Sequence, residues 1–354
     1  KDSKTCNTQS CAPTVTRVGE YLTGLLNPLN STQFVEFDHA TDGSCNGDRS
    51  CGSSCSTKYC SWVSGRIINV NGTSISYGPE QQLTSSSEKY KGNGIGDVVA
   101  VRIDDHTLAF AGGNYKSKTK TSSFATMIIK TSGNNMWVTQ NLGGEVFNAP
   151  AITSYGGGLE GLYHNTGSSS VFMVYECGTK TTTRHCNVEY NFQTATVVNR
   201  QIGEKHTWSR KRDYHYDKEG RAGRVAALPN NYYQDYISLT NGTGVILEPP
   251  VTINNEEVIE TSSWSSYGSA KAFQHFGNDK LVVLVGKSEK VNGSYVYTSY
   301  FVFYRKVNNT WVLEHVIESP ESKTQYYSGE FVAMNDTTVI FNSRNSCLDV
   351  IHYN

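Results

Sequence analysis

The sequence predicts an all-β fold, a six-bladed β-propeller of four-stranded antiparallel blades. Three observations predict it. A unit of four short strands recurs down the chain, with its clearest copy at 270–319. Its strands are rich in β-branched and aromatic residues and are closed by turn residues. No long stretch carries apolar residues at the three- and four-residue spacing of a helix. Such a unit cannot bury both faces alone, so copies must stack, and radial stacking of four-stranded units makes a propeller.

In order, the first module reads as strands at Val15–Leu22, Gln33–Phe37, Cys60–Val70 and Thr73–Leu83. The second has Asp97–Ile103, Thr107–Ala111, Phe124–Lys130 and Met136–Asn141. The third has Leu159–His164, Val171–Glu176, Cys186–Phe192 and Thr196–Gln201. The fourth has Arg224–Leu228, Tyr233–Leu239, Gly244–Leu247 and Glu257–Ser262. The fifth opens at Ala270–Phe276, turns at Gly277-Asn278-Asp279, and continues through Leu281–Val285, Tyr300–Val307 and Trp311–Ile317. The sixth has Glu330–Met334, Thr338–Asn342 and Leu348–Tyr353, one strand short. Residues before Cys11 are expected to supply that strand and close the ring. The blades span 13–84, 96–142, 158–203, 222–262, 270–319 and 328–354, and the whole chain, 1–354, reads as one domain. Module spacing is too uneven for WD40 or kelch repeats.

A net charge of −1 argues against a dedicated nucleic-acid binder or a polybasic membrane protein. No apolar run approaches the roughly 18 residues needed to span a bilayer. Lys1-Asp2-Ser3 opens without a signal-like apolar segment, so the chain reads as a mature ectodomain. Six Asn-x-Ser/Thr sequons stand at Asn30, Asn71, Asn241, Asn292, Asn308 and Asn335. Several fall at predicted turns, where an amide is open to glycosylation, so an extracellular, secreted or surface-anchored location is expected.

The nine cysteines agree with that. Cys45, Cys51, Cys55 and Cys60 share one Gly/Ser-rich loop and read as two local disulfides, with zinc as the alternative. Cys177 and Cys186 flank a polar hairpin that a bond could staple. Cys347 with Cys6 or Cys11 would clasp the chain ends, leaving one cysteine over. No cofactor is expected. The nine histidines are scattered, with no helical metal-ligand pair.

Thr131-Ser132-Gly133-Asn134-Asn135-Met136-Trp137, Val307-Asn308-Asn309-Thr310-Trp311 and Asn71-Gly72-Thr73 occupy turns between third and fourth strands. They resemble eroded Asp boxes, and with them most of the chain resembles the sialidase superfamily, in particular the trans-sialidase type of six-bladed propeller. The resemblance implies a three-arginine clamp on a carboxylate, a tyrosine nucleophile activated by a glutamate, and an aspartate acid/base. Arg17, in Val15-Thr16-Arg17-Val18, matches the first arginine. Tyr327, in Tyr326-Tyr327-Ser328-Gly329, matches the nucleophile. The aspartate position falls in the Cys-rich segment, where neither Asp42 nor Asp48 can be assigned. The glutamate position holds Ala222-Gly223-Arg224-Val225. The other two arginine positions hold Ser238-Leu239-Thr240 and Val296-Tyr297-Thr298. The resemblance therefore implies a degenerate, non-catalytic propeller, with Arg17 and Tyr327 vestigial. The alternative is an active sialidase or other glycoside hydrolase using Tyr327.

The linker 204–224 alternates basic and aromatic residues, among them Trp208, Arg210, Arg212, Tyr214 and Tyr216. That mixture suits an acidic partner or glycan through cation–π contacts and forked hydrogen bonds. The expected function is attachment to a cell-surface protein or glycan, as parasite surface antigens and viral attachment heads do, without hydrolysis.

Overall fold

Alternation along each strand decides what the strands bury, because successive side chains point to opposite faces. The computed structural model describes residues 12–20, 22–42, 60–83, 98–116, 121–141, 147–148, 159–164, 167–179, 182–205, 214–216, 222–227, 234–240, 251–254, 269–320, 329–343 and 347–353. Within them the chain is all-β, with no helix and with antiparallel sheets.

The first strand is β1 (Thr14–Gly19). Sheet one follows, with β2 (Leu25–Asn30), β3 (Gln33–Asp42), β4 (Cys60–Asn71) and β5 (Ser74–Tyr77), and with β6 (Gln81–Gln82) on β4. Sheet two has β7 (Val98–Asp104), β8 (Thr107–Lys116), β9 (Thr121–Ser132) and β10 (Asn135–Asn141), and β11 (Phe147–Asn148) pairs β9. Sheet three has β12 (Leu159–His164), β13 (Ser170–Thr179), β14 (Thr182–Asn191) and β15 (Thr196–Lys205). Sheet four has β16 (Tyr214–Tyr216), β17 (Ala222–Ala227), β18 (Gln234–Thr240) and β19 (Val251–Asn254). Sheet five has β20 (Ser269–Phe276), β21 (Lys280–Val291), β22 (Ser294–Val307) and β23 (Thr310–Glu318). Sheet six has β24 (Gly329–Ala333), β25 (Thr338–Ser343) and β26 (Cys347–His352), and β1 pairs along β26.

The apolar runs are buried on both faces. In β21, Leu281, Val283 and Val285 enter one cluster, while Val282 and Leu284 enter another with Phe331, Val339 and Phe341 of sheet six. In β8, Leu108 and Phe110 meet sheet one, where Phe110 and Phe37 lie 5.2 Å apart, and Ala109 and Ala111 meet sheet three. Leu26, Phe34 and Ile68 of sheet one pack on Val332, Ile340 and Val350 of sheet six. Burying each large apolar side chain contributes about 1.5–3 kcal/mol, so these faces dominate the stability. The same packing sets first strands side by side: β2 with β7, β7 with β12, β12 with β16, β16 with β20, β20 with β24, and β24 with β2.

The two ends of the sheets differ. Connections from first to second and from third to fourth strands leave from one end, the turn end. Those from second to third strands, and from sheet to sheet, leave from the other. At the turn end, described connections are tight at 31–32, 72–73, 105–106, 133–134, 277–279 and 308–309. At the opposite end 292–293 is a tight turn between β21 and β22, while β3, β15 and β19 end there and lead into residues outside those described. Asn308 and Asn309, with φ of 50° and 60°, make a primed two-residue turn whose twist matches the flanking strands.

Strand assignments differ from the sequence reading in sheets one, four and six, and the expected Thr73–Leu83 is split into β5 and β6. Sheet one starts at Leu25–Asn30 rather than Val15–Leu22. β2 contains Pro28 and is hydrogen-bonded only to β3, an edge position where a strand accommodates proline. The strand that completes sheet six is Thr14–Gly19, not residues before Cys11. Sheet four starts at Tyr214–Tyr216, inside the charged linker, so the expected first and second strands become β17 and β18; its fourth strand is Val251–Asn254, and the expected Gly244–Leu247 and Glu257–Ser262 lie outside the described residues.

Candidate functional site

The segment 20–24 carries the chain from β1 on sheet six to β2 on sheet one, and side chains from both sheets fix it. From sheet six, the Asn342 amide accepts from Leu22 N–H and donates to Leu22 O, both at 2.9 Å. Asn342 Nδ2 also donates to Glu330 Oε1 at 3.3 Å. From sheet one, Glu36 Oε1 accepts the Gly24 N–H at 3.2 Å. Glycine is required at 24, since a Cβ there would lie 2.2 Å from Phe37 O.

Glu36 is buried, and its other oxygen takes Arg66 Nε at 2.6 Å. The two residues are cross-strand partners in register. The Arg66 guanidinium lies over the Tyr77 ring, 4.9 Å from its centroid. Burial pushes the Tyr77 phenol above its ordinary value; Arg66 opposes this, and Glu36 and Glu20 add to it. Arg66 and Tyr77 remain 34% and 44% exposed. Guanidinium carries five donors, and Glu36 holds one of them here. A half-exposed arginine held by a buried carboxylate and stacked on a phenol suits recognition of an acidic or carbonyl group. Both Glu36 oxygens are engaged, so that carboxylate is held in the ion pair and by the Gly24 amide. Sequence reasoning missed this pair because its members are 30 positions apart; a charged residue inside Phe34-Val35-Glu36-Phe37 was the available signal.

Arg17 does not stand on a first strand. It lies on β1 opposite Asp349, and its Nε is 3.5 Å from the fully buried Asp349 carboxylate. The buried Cys347 thiol donates to Asp349 Oδ2 at 3.4 Å. Arg17 is thus part of a cross-strand ion pair on sheet six. Tyr327 lies outside the described residues, as do Trp208, Arg210, Arg212, Cys6, Cys11, Cys45, Cys51, Cys55 and Asn241. Tyr214 and Tyr216 sit on β16, opposite Arg224 and Ala222. Cys60 is the first residue of β4, paired with Asp42. Cys177 stands opposite Arg184 and Cys186 opposite Tyr175, so the two cysteines are offset by two residues in register. β1 enters sheet six at Thr14, opposite His352 and away from Cys347.

A second polar cluster joins sheets five and six near the turn end. The Tyr353 hydroxyl donates to Glu314 Oε2 and accepts from Arg305 at 3.2 Å, and Arg305 Nε donates to Glu314 at 3.1 Å. The Tyr353 ring also lies against Phe276, Phe303 and His315. A phenol bonded to a carboxylate resembles an activated nucleophile, but Tyr353 is buried and its ring is packed, so the cluster acts as an inter-sheet clasp. Among the described residues no three His, Cys, Asp or Glu side chains come together to hold a metal ion.

No protein-family model matches the chain, and no curated protein matches it. Solved structures similar to it include a protein of unknown function from Dyadobacter fermentans DSM 18053, at 8% identity and a TM-score of 0.47, covering 96% of this chain and 98% of that one. The Dos1 propeller is similar at 8% identity and 0.38, covering 84% and 66%. A GH43_1 enzyme from Xanthomonas citri is similar at 5% identity and 0.34, covering 72% and 86%. The sialidase resemblance is not carried by these likenesses.

Proposed function

We propose that this chain is a non-enzymatic, sialidase-like six-bladed propeller of an extracellular glycoprotein, and that it attaches to a cell-surface protein or glycan through the end that carries its long connections. The observation that carries this reading is the difference between the two ends. β15 ends and β16 begins at the long-connection end, and the sequence between them holds Trp208, Arg210 and Arg212; the neighbours of β16 are the first strands of sheets three and five. Six sheets whose first strands are pairwise neighbours, with β1 completing sheet six, support a closed ring. Loss of the enzyme is supported by Arg17, which is engaged by Asp349 on a completing strand instead of joining a carboxylate clamp.

The test has two arms. A fluorogenic sialoside is expected to give no turnover; turnover abolished by Tyr327→Phe would establish the hydrolase instead. On arrays of acidic glycans and of cell-surface ectodomains, replacing Arg210 and Arg212 with alanine is expected to weaken binding at least tenfold. Unchanged binding removes that segment from the site.

A further inference from the structure

Four of the five described sequons share one end of the sheets; the fifth, Asn292, is exposed on the turn from β21 to β22 at the other end. Asn30 ends β2 and Asn71 ends β4, both at the turn end of sheet one. Asn308 opens the turn from β22 to β23, at the same end of sheet five. Asn335 lies between β24 and β25, at that end of sheet six. Sheets five, six and one are consecutive neighbours, so the four asparagines occupy one continuous sector. Direct contact supports this: Asn335 Nδ2 donates to Ser31 O, inside the Asn30 sequon, at 3.3 Å.

Their side chains differ. Asn30 and Asn335 are half-buried, and each Oδ1 accepts from the hydroxyl of its own sequon threonine, Thr32 at 3.1 Å and Thr337 at 3.0 Å. Their amide nitrogens, the atoms a sugar would take, donate to Gln33 at 2.8 Å and to Ser31. Asn71 and Asn308 are exposed at tight turns. A sugar added before folding must still point to solvent afterwards, and these two positions meet that condition at no cost.

We infer that Asn71 and Asn308 are the principal N-glycan attachment sites of this sector, and that they make the turn end of sheets five, six and one a sugar-bearing face. In the transfer, Asn Nδ2 bonds to C1 of an oligosaccharide carried on a lipid diphosphate. The C1–O bond to phosphate breaks, and the amide proton leaves with the diphosphate lipid. The inference rests on the extracellular reading.

The test is the whole chain, routed through the secretory pathway of a glycosylating cell, with site occupancy read by mass spectrometry after amidase release of the sugars in heavy-oxygen water. Occupancy at Asn71 and Asn308 is expected to exceed that at Asn30 and Asn335 several-fold. Thr73→Ala and Thr310→Ala are each expected to remove one glycan while sparing the asparagine that holds the turn. Asn308 sits at a φ of 50°, so replacing the asparagine itself would confound sugar loss with backbone strain. Sugar mainly on Asn30 and Asn335, or on Asn292 with Asn71 and Asn308 bare, overturns this face alone. Secreted chain with no sugar at any site overturns the face and leaves the location standing; chain that is retained and bare overturns both.

Discussion

The turn end and the long-connection end of the sheets are built on opposite principles. At the turn end the geometry is local: Gly72, Gly133, Gly277, Asn308 and Asn309 hold left-handed backbone that ordinary residues resist. Side chains then tie neighbouring turns together. Gln33 Nε2 donates to Asn69 at 2.8 Å, Asn69 donates to Asn134 at 3.0 Å, and Gln81 donates to Asn134 O at 2.8 Å, linking sheets one and two. At the other end the segment 20–24 is held by side chains distant in sequence, Asn342 and Glu36. The turns, Asn292-Gly293 at the other end among them, are written in dipeptides; the passage from sheet six to sheet one needs the assembled sheets.

That contrast orders the expected effects. Gly24→Ala forces a Cβ against the Phe37 carbonyl, where the atom in the way is backbone and cannot swing aside. It should cost roughly 2–3 kcal/mol, the upper part of the overpacking range, in chemical denaturation. A cost near zero would mean that segment 20–24 moves freely, and the contrast would fail. Tyr353→Phe leaves Glu314 without its phenol donor and should cost about 1–2 kcal/mol by the same measurement. Asn309→Ala, at a φ of 60°, should cost about 1 kcal/mol, and Asn309→Gly should not. Gln33→Ala removes one rung of the amide ladder and should cost about 0.5–1.5 kcal/mol.

Tyr190 adds a test by pH. Burial pushes its phenol up to about 12. The neutral phenol is favoured in the folded state, so its contribution is intact below the unfolded value of about 10 and is lost as pH rises from there through the folded value. Tyr190→Phe should flatten the loss of stability above pH 10 relative to the parent. Parallel alkaline profiles would show that Tyr190 has no part in it.

Legibility followed the same division. The run Leu281–Val285 already reads as a strand, and its alternate residues enter two clusters. The turns at Asn71-Gly72 and Asn308-Asn309 were also readable, because their residue types match the backbone they must adopt. Leu25–Asn30 was not, since Pro28 is a breaker everywhere except on a strand bonded on one side. Tyr214–Tyr216 was hidden inside a charged run too short to show a period. For the candidate site, Arg17 was visible and Asp349 was not, because the partner is set by pairing between the two ends of the chain. Glu36 and Arg66 were invisible as a pair for the same reason.

The pairing of β1 with β26 also decides how the molecule would answer a pull. Thr14 faces His352, so tension between the two chain ends falls on that rung first and then runs toward Arg17 and Asp349 one rung at a time. Antiparallel rungs loaded in sequence part at low force, whereas rungs loaded together in shear resist. The C-terminal side is pinned, with Tyr353 N–H on Thr337 O at 2.7 Å and its hydroxyl on Glu314. Under load it is β1 that peels away, and sheet six keeps its other three strands.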